Sequence, residues 1–370
     1  MTILLFNMFY GFRGSFKPLR SYAFASDSLT GRSVGSIDHS LGNRFRESWT
    51  GGILIPFPSA FVIGCDIQKQ DFENAGRAGG HRSYFLGEWK NGGWKSYYVV
   101  GLVFKEPLAW IIALLLSIPL VITRRLPGCC RQEALVLALP SAAIFLLVTW
   151  QSTISSHIRY VLPALPFLFI WTGQFGTVLD SGLKSLKWLT VVLCAWFLMS
   201  SAINAPHWIS YFNELTGGPH GGHRVLDNSN IDWGQDLLYL KEWMDEHPEA
   251  TGIRIAYFGC IDPQWMGLRY EVPAPYFSPP DARHSLSYLG PQPGWYAVSV
   301  NFVLGSTMTL PNGQGDFIYF GSPVYEYFSR FEPVARAGNS IWIYHLKTEE
   351  VAAARKQMGI LNNGNDRVAK

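Results

Sequence analysis

Four apolar runs without a formal charge dominate the middle of the chain: Pro107 to Thr123 ("PLAWIIALLLSIPLVIT"), Ala134 to Trp150, Tyr160 to Leu179 and Trp188 to Asn204. Each approaches the about 17–25 residues a helix needs to cross the hydrocarbon core of a bilayer. Backbone amides and carbonyls in lipid must be satisfied within their own segment, so the runs are expected to be four spanning helices. A soluble core could hide one such helix, but not four within about 100 residues. Composition agrees, with 48% hydrophobic residues and only 15% charged, against about 25% charged in ordinary soluble domains. A net charge of +3, scattered along the chain, gives no footprint for nucleic acid.

The loops set an expected orientation. "RRLPGCCR" (124–131) and "DSGLKSLK" (180–187) are short and basic, which places them in the cytoplasm by the positive-inside rule. The segment before Pro107, the "QSTISSHIR" loop and everything after Asn204 then lie outside. Trp110, Trp150, Trp188 and Trp208 fall near the expected interfaces, as an aromatic belt requires. Of five cysteines, Cys129 and Cys130 are in a cytoplasmic loop and Cys194 in a span. Cys65 and Cys260 are both external and free to pair or not. Neither a metal-type spacing nor an Asn-x-Ser/Thr sequon occurs, and no cofactor is expected.

The fold class expected is an α-helical integral membrane bundle, four full spans plus a partial one, with an extracytoplasmic α/β domain at the carboxy terminus. Residues 1–12 ("MTILLFNMFYGF") are apolar but too short to span, and read either as the last turns of a membrane helix or as an interfacial anchor. They lack the layout of a signal peptide. Residues 13–106 form an external loop region, rich in Gly, Ser and aromatics, with little sustained period of either kind. The spans fill 107–204. Residues 205–370 read as the α/β domain, with β-rich runs at 252–259, 294–302 and 340–346 and a polar, frayed final twenty residues.

Candidate site residues gather in the external segments. In "DNSNIDWGQDLLYLKEW" (227–243), Asp232 and Gln235 match a capping box opening a helix that runs to about Asp245. Trp233, Leu237, Leu240 and Met244 would form its apolar face. That leaves Asp227, Asn228, Asn230 and Asp236 unexplained, so Asp232, Gln235 and Asp236 are also candidates for a polar site beside the membrane. His157, Arg159 and Tyr160 stand at the mouth of a span. Arg159 can snorkel to head groups or hold a phosphate in its bidentate fork. Lys105, beside Glu106, is either an interfacial anchor or a second cationic contact to a lipid phosphate. Glu88 in "YFLGEW" sits among aromatics as carbohydrate-site acids do, although a solvated loop carboxylate is the plainer reading. Nucleophile elbow, Walker loop, HExxH and dinucleotide fingerprints do not occur.

Taken together, "YFLGEWKNGGWKSYYVVGLVFKEPL", "HIRYVLPALPFLFI", "APHWISYFNELTGGP" and the Asp-Trp-Gly-Gln-Asp phrase resemble the carboxy-terminal part of a GT-C class membrane glycosyltransferase. The branch resembled is that of protein O-mannosyltransferases and aminoarabinose transferases. The resemblance covers most of residues 10–346. It implies transfer of a sugar from a polyprenyl-phosphate donor to a glycan, lipid or protein acceptor on the outer face of the inner membrane. It also implies a carboxylate base in a first external loop, which in this numbering would precede Met1. Two other readings stand beside it. One is a membrane-anchored protein that binds glycans or a partner without catalysis. The other, a transporter, is disfavoured because the spans carry no charge at their midplane.

Overall fold

The computed structural model describes residues 2–32, 40–74, 82–123, 131–151, 155–180, 184–277 and 290–360. The chain divides into two units, Met1–Tyr98 with Leu146–Ser155, and Val99–Phe145 with Ser156–Lys370.

The first unit begins with helix α1 (Thr2–Phe9) and an antiparallel pair, β1 (Lys17–Pro18) with β2 (Leu54–Ile55). Helix α2 (Asp27–Thr30) and the longer α3 (Ser59–Asn74) follow from the segment expected to lack periodicity. The pattern of α3 is obscured because two of its acids, Asp66 and Glu73, face inward. Asp66 accepts the amides of Ala25 and Ser26 at 2.6 and 3.1 Å, and Glu73 those of Asp27 and Ser28 at 2.6 and 3.3 Å. Carboxylates seven residues apart lie on one helical face, where an amphipathic reading looks for apolar side chains. Strands β3 (Arg82–Phe85) and β4 (Glu88–Asn91) pair across Leu86 and Gly87. Both turn residues have positive φ, 51° and 88°, which matches the twist of a two-residue hairpin. Glu88 opens β4 on an exposed position.

The second unit holds most of the apolar helices. Helix α4 (Tyr97–Lys105) meets α5 (Leu108–Ile122) at a bend of 118°. Pro107 causes the break, because it excludes Glu106 from helical backbone and offers no N–H of its own. The first expected run is helical over nearly its whole length, but it counts as a candidate span only together with α4. Its continuous part, α5, has 15 residues and is about 22 Å long at 1.5 Å per residue. Helix α6 (Arg131–Gln151), which ends in the first unit, is followed by α7 (Leu165–Gly173), flanked by 3-10 turns at Ile158–Ala164 and Gln174–Asp180, and then by α8 (Lys184–Ile203). Three helical stretches, Gln132–Trp150, Ile158–Leu179 and Lys184–Ile203, are long and apolar enough to cross a membrane, with the bent α4–α5 pair as a fourth candidate. They support membrane association.

Trp110 departs from the expected interfacial belt. It is only 5% exposed and packs on Phe169 with ring centres 4.8 Å apart. Trp150, Trp188 and Trp208 are exposed. The loop 124–130, with Cys129 and Cys130, lies outside the described residues, as do 152–154 and 181–183.

Beyond α8 the chain forms α9 (Leu237–Glu246), β5 (Arg254–Ala256), β6 (Gly294–Ser299), α10 (Val300–Val303), β7 (Leu310–Pro311), β8 (Phe317–Ile318), β9 (Ala335–Ala337), β10 (Ile341–Leu346) and α11 (Thr348–Gln357). The sheet order is β5-β6-β10-β9, with β5 parallel to β6 and the other pairs antiparallel. Side chains alternate across it. Tyr296, Val298, Tyr344 and Leu346 pack with Phe302, Tyr325 and Phe328, while Ala297, Ile341 and Ile343 pack with Leu237 and Leu240 of α9. All three runs read as β-rich contain strands. Helix α11 carries order to Gln357 and buries Val351 and Ala354, against the expectation of fraying from residue 351.

Candidate functional site

The polar phrase after α8 has a structural task that its sequence did not disclose. Asn230 is buried and works as a clamp. Its side-chain oxygen accepts the Ile158 amide at 3.1 Å, and its side-chain nitrogen donates to the carbonyls of Ser156 at 3.0 Å and Asp227 at 2.8 Å. Next to it, His157 Nδ1 and the Ser229 hydroxyl are hydrogen-bonded at 2.5 Å. The mouth of the Ile158–Leu179 helix is thereby fastened to residues 227–230.

Lys105 comes to the same place from the end of α4. Its ammonium donates to the carbonyls of Ile209 and Asn230, both at 2.8 Å, and lies 4.5 Å from the centre of the Phe212 ring. An ammonium has three N–H donors, so one remains after the two carbonyls. Arg159 lies between two rings, 5.7 Å from Tyr160 and 5.9 Å from Trp233. Among the described residues its guanidinium has no hydrogen-bond acceptor, so its fork is uncommitted.

These residues surround a cavity of about 300 Å³. Lys105 and Arg159 supply its cations, Ser229 and Asn230 its polar wall, and Ile158, Leu162, Trp208, Ile209 and Trp233 its apolar wall. Among the described residues no carboxylate lines it. Such a chamber suits a ligand with an anionic head and an apolar body. The two sequence-expected cations are brought together, with Tyr160 beneath one of them and His157 fixed at the rim.

Asp232 and Gln235 do not form the expected capping box. Helix α9 starts at Leu237, five residues later than Asp232. Asp232 instead accepts the Gly234 amide at 2.9 Å and the Ser299 hydroxyl, while Gln235 accepts the Trp233 amide at 2.7 Å and donates to the Ile231 carbonyl at 3.0 Å. Gly234 at φ 81° makes this turn. A Cβ there would stand 2.3 Å from the Tyr257 hydroxyl, which itself donates to the Gly234 carbonyl at 2.7 Å. The turn points Trp233 away from the sheet: it is 52% exposed and walls the cavity rather than packing with Leu237 and Leu240.

Asp236 ties α9 to the β9–β10 turn. One carboxylate oxygen accepts the amides of Asn339 and Ser340 at 2.8 Å each and the Ser340 hydroxyl at 2.9 Å. The other lies 3.6 Å from His207 Nδ1. His207 escaped the sequence reading, where the only signal was its place just past a span in "APHW". The spacing is too long for a hydrogen bond, so the carboxylate is a charge beside a partly exposed imidazole, within reach of pairing with it after a small shift.

Two further carboxyls are shaped by burial. Asp227 is 4% exposed, and desolvation pushes its carboxyl up to about 8. Burial likewise pushes Asp232 up to about 7, against the pull of the Ser299 hydroxyl and the Gly234 amide. Asp227 thus stays largely protonated at neutral pH, and Asp232 titrates there. Glu88 belongs to the first unit and is exposed on its hairpin. Cys65 and Cys260 are free thiols on exposed positions. Among the described residues no group of three His, Cys, Asp or Glu side chains could hold a metal ion.

Comparison of the chain with family models, with curated proteins and with solved structures finds no match.

Proposed function

We propose that the protein is a membrane glycosyltransferase of the GT-C type, or the carboxy-terminal part of one. In this reading it takes sugar from a polyprenyl-phosphate donor and passes it to an acceptor on the outer face of the inner membrane. The observation that carries the reading is the cavity in which Arg159 and Lys105 meet an apolar wall ending in Trp208 and Trp233. A polyprenyl phosphate has the matching chemistry, a doubly acceptor-rich anion on a long apolar chain. Arg159 supplies a planar fork for the phosphate oxygens, and Lys105 a point charge held in place by two carbonyls. The Ile158–Leu179 stretch, apolar and long enough to cross a bilayer, starts at this cavity.

One observation favours a second reading, a donor-binding or glycan-binding protein without turnover. Among the described residues the cavity has no carboxylate, and the two acids expected nearby, Asp232 and Asp236, are held by backbone and serine partners. The two readings separate in one experiment on the full chain in nanodiscs. Incubation with a radiolabelled polyprenyl-phosphate sugar and mixed acceptors gives bound and transferred label. Transfer supports the enzyme, retention without transfer supports the binding protein, and neither rejects both.

A further inference from the structure

The "PHGGHR" stretch (219–224) takes no part in the cavity. It forms a 3-10 turn pinned by close approach of its glycines. A Cβ on Gly221 would stand 1.7 Å from the Thr216 carbonyl oxygen, and one on Gly222 would stand 2.1 Å from the Phe212 ring. The turn is thus pressed onto the segment that follows α8. That segment is itself fastened to α8, whose Trp196 indole donates to Glu214 at 2.8 Å.

The turn presents basic groups toward the edge of the sheet. Arg336 on β9 and Trp342 on β10 are direct cross-strand partners, and the guanidinium stacks 5.1 Å from the indole centre. The same guanidinium donates to His220 Nδ1 at 2.6 Å. His220 must therefore be neutral at that nitrogen and carry its proton on Nε2, where it is a donor. His223 meets the Trp342 ring edge to face at 4.9 Å. Arg224, exposed, follows directly. None of the ion pairs among the described residues involves Arg224 or Arg336.

A guanidinium that hydrogen-bonds to imidazole, with no carboxylate ion-paired to it among the described residues and with Arg224 adding its charge at the adjoining His223, is an arrangement that its own charges disfavour. Burial and the Arg336 charge hold His220 below its ordinary value, and burial with the Arg224 and Arg336 charges holds His223 down to about 4. An anion accepting from these donors would relieve that repulsion.

We propose that His220, Arg224 and Arg336 form an anion site, separate from the cavity, that takes a phosphate group. A phospholipid head and free phosphate share this chemistry, and the attachment of the turn to α8 favours the head group. The inference does not rest on the glycosyltransferase reading.

The test uses the full chain in phosphatidylcholine nanodiscs, and in detergent with added phosphatidylglycerol. Isothermal titration reads binding of inorganic phosphate, and native mass spectrometry reads retained phosphatidylglycerol. The paired substitution Arg224→Gln with Arg336→Gln should weaken the bound species roughly tenfold, as expected for losing charge-assisted hydrogen bonds. The same loss should appear in the Arg159→Gln background, which takes the cavity's fork out of the reading. Arg224→Gln alone, at an exposed position, should give a smaller loss in the same direction without disturbing the fold. Loss in the lipid arm alone assigns a head group, and loss in the phosphate arm assigns a soluble ligand. Wild-type protein that takes up neither, or substituted protein that matches it in both arms, overturns the site.

Discussion

The Lys105 ammonium donates to the Asn230 carbonyl at 2.8 Å, joining the end of α4 to the polar phrase beyond α8 across 125 residues of chain. The side chain of Asn230 fastens the Ile158–Leu179 helix to the same point. One asparagine thus sets the geometry of the cavity between them.

Asn230→Ala should therefore destabilise the protein. It strips the acceptor from the Ile158 amide and two donors from the carbonyls of Ser156 and Asp227. Leaving buried backbone groups unpaired costs about 1–3 kcal/mol each in unfavourable cases, so a loss of roughly 2–4 kcal/mol is expected. Chemical unfolding in detergent reads it directly, and a change below about 1 kcal/mol would mean the clamp is dispensable.

Stability should fall as pH rises through the neutral range. Asp227 is protonated in the fold up to about 8 but ionises near 4 in the unfolded chain. Between those values the unfolded state binds fewer protons, so stability drops with pH, by at most about 1.4 kcal/mol per unit from this one group, and levels off above pH 8. Asp227→Asn removes the ionisation. The variant should gain over wild type at pH 8 and match it at pH 4, with Asp232 still contributing a slope of the same sign over a narrower range that ends near 7. Thermal melts at pH 4, 6 and 8 check the crossing.

How much of this could be read beforehand differed by element. The strands around Ile255, Val298 and Ile343 were legible because β-branched and aromatic residues alternate between punctuating glycines. The apolar helices were legible by length alone. Helix α3 was hidden, since its buried face carries Asp66 and Glu73, whose partners are amides about 40 residues away. The Asp232 cap failed because Gly234 takes a positive φ, and a helix cannot pass through it; the glycine in "DWGQD" was the available signal. The partnership of Asp236 with Ser340 was invisible, as it crosses 104 residues. For the site, Arg159 and Lys105 were legible as cations at the ends of apolar runs. Trp208, Ser229 and Asn230 acquire their place only from tertiary packing.

Trp233 offers a way to separate binding from folding. It is half exposed, so Trp233→Ala should cost little stability, within about 1 kcal/mol. It should nonetheless weaken binding of a polyprenyl phosphate several-fold, because the cavity loses a wall and Arg159 loses a stacking face. Trp233→Phe should restore part of the loss. Equal affinities for all three proteins would place the ligand elsewhere.

His207 gives a kinetic test. If its imidazole takes the proton of an attacking hydroxyl, His207→Gln should lower turnover about 100-fold while leaving donor affinity unchanged. A fall in affinity with turnover preserved would make it part of the binding wall instead.

The most direct measurement is the affinity of the full chain for a polyprenyl monophosphate, wild type against Arg159→Gln, in nanodiscs at fixed ionic strength. Thermal melts confirm that both proteins are folded. The cavity reading requires binding by the wild type and a loss of at least about tenfold in the variant, as expected for a bidentate contact to phosphate. Equal binding by the two folded proteins would contradict it and remove Arg159 from the site.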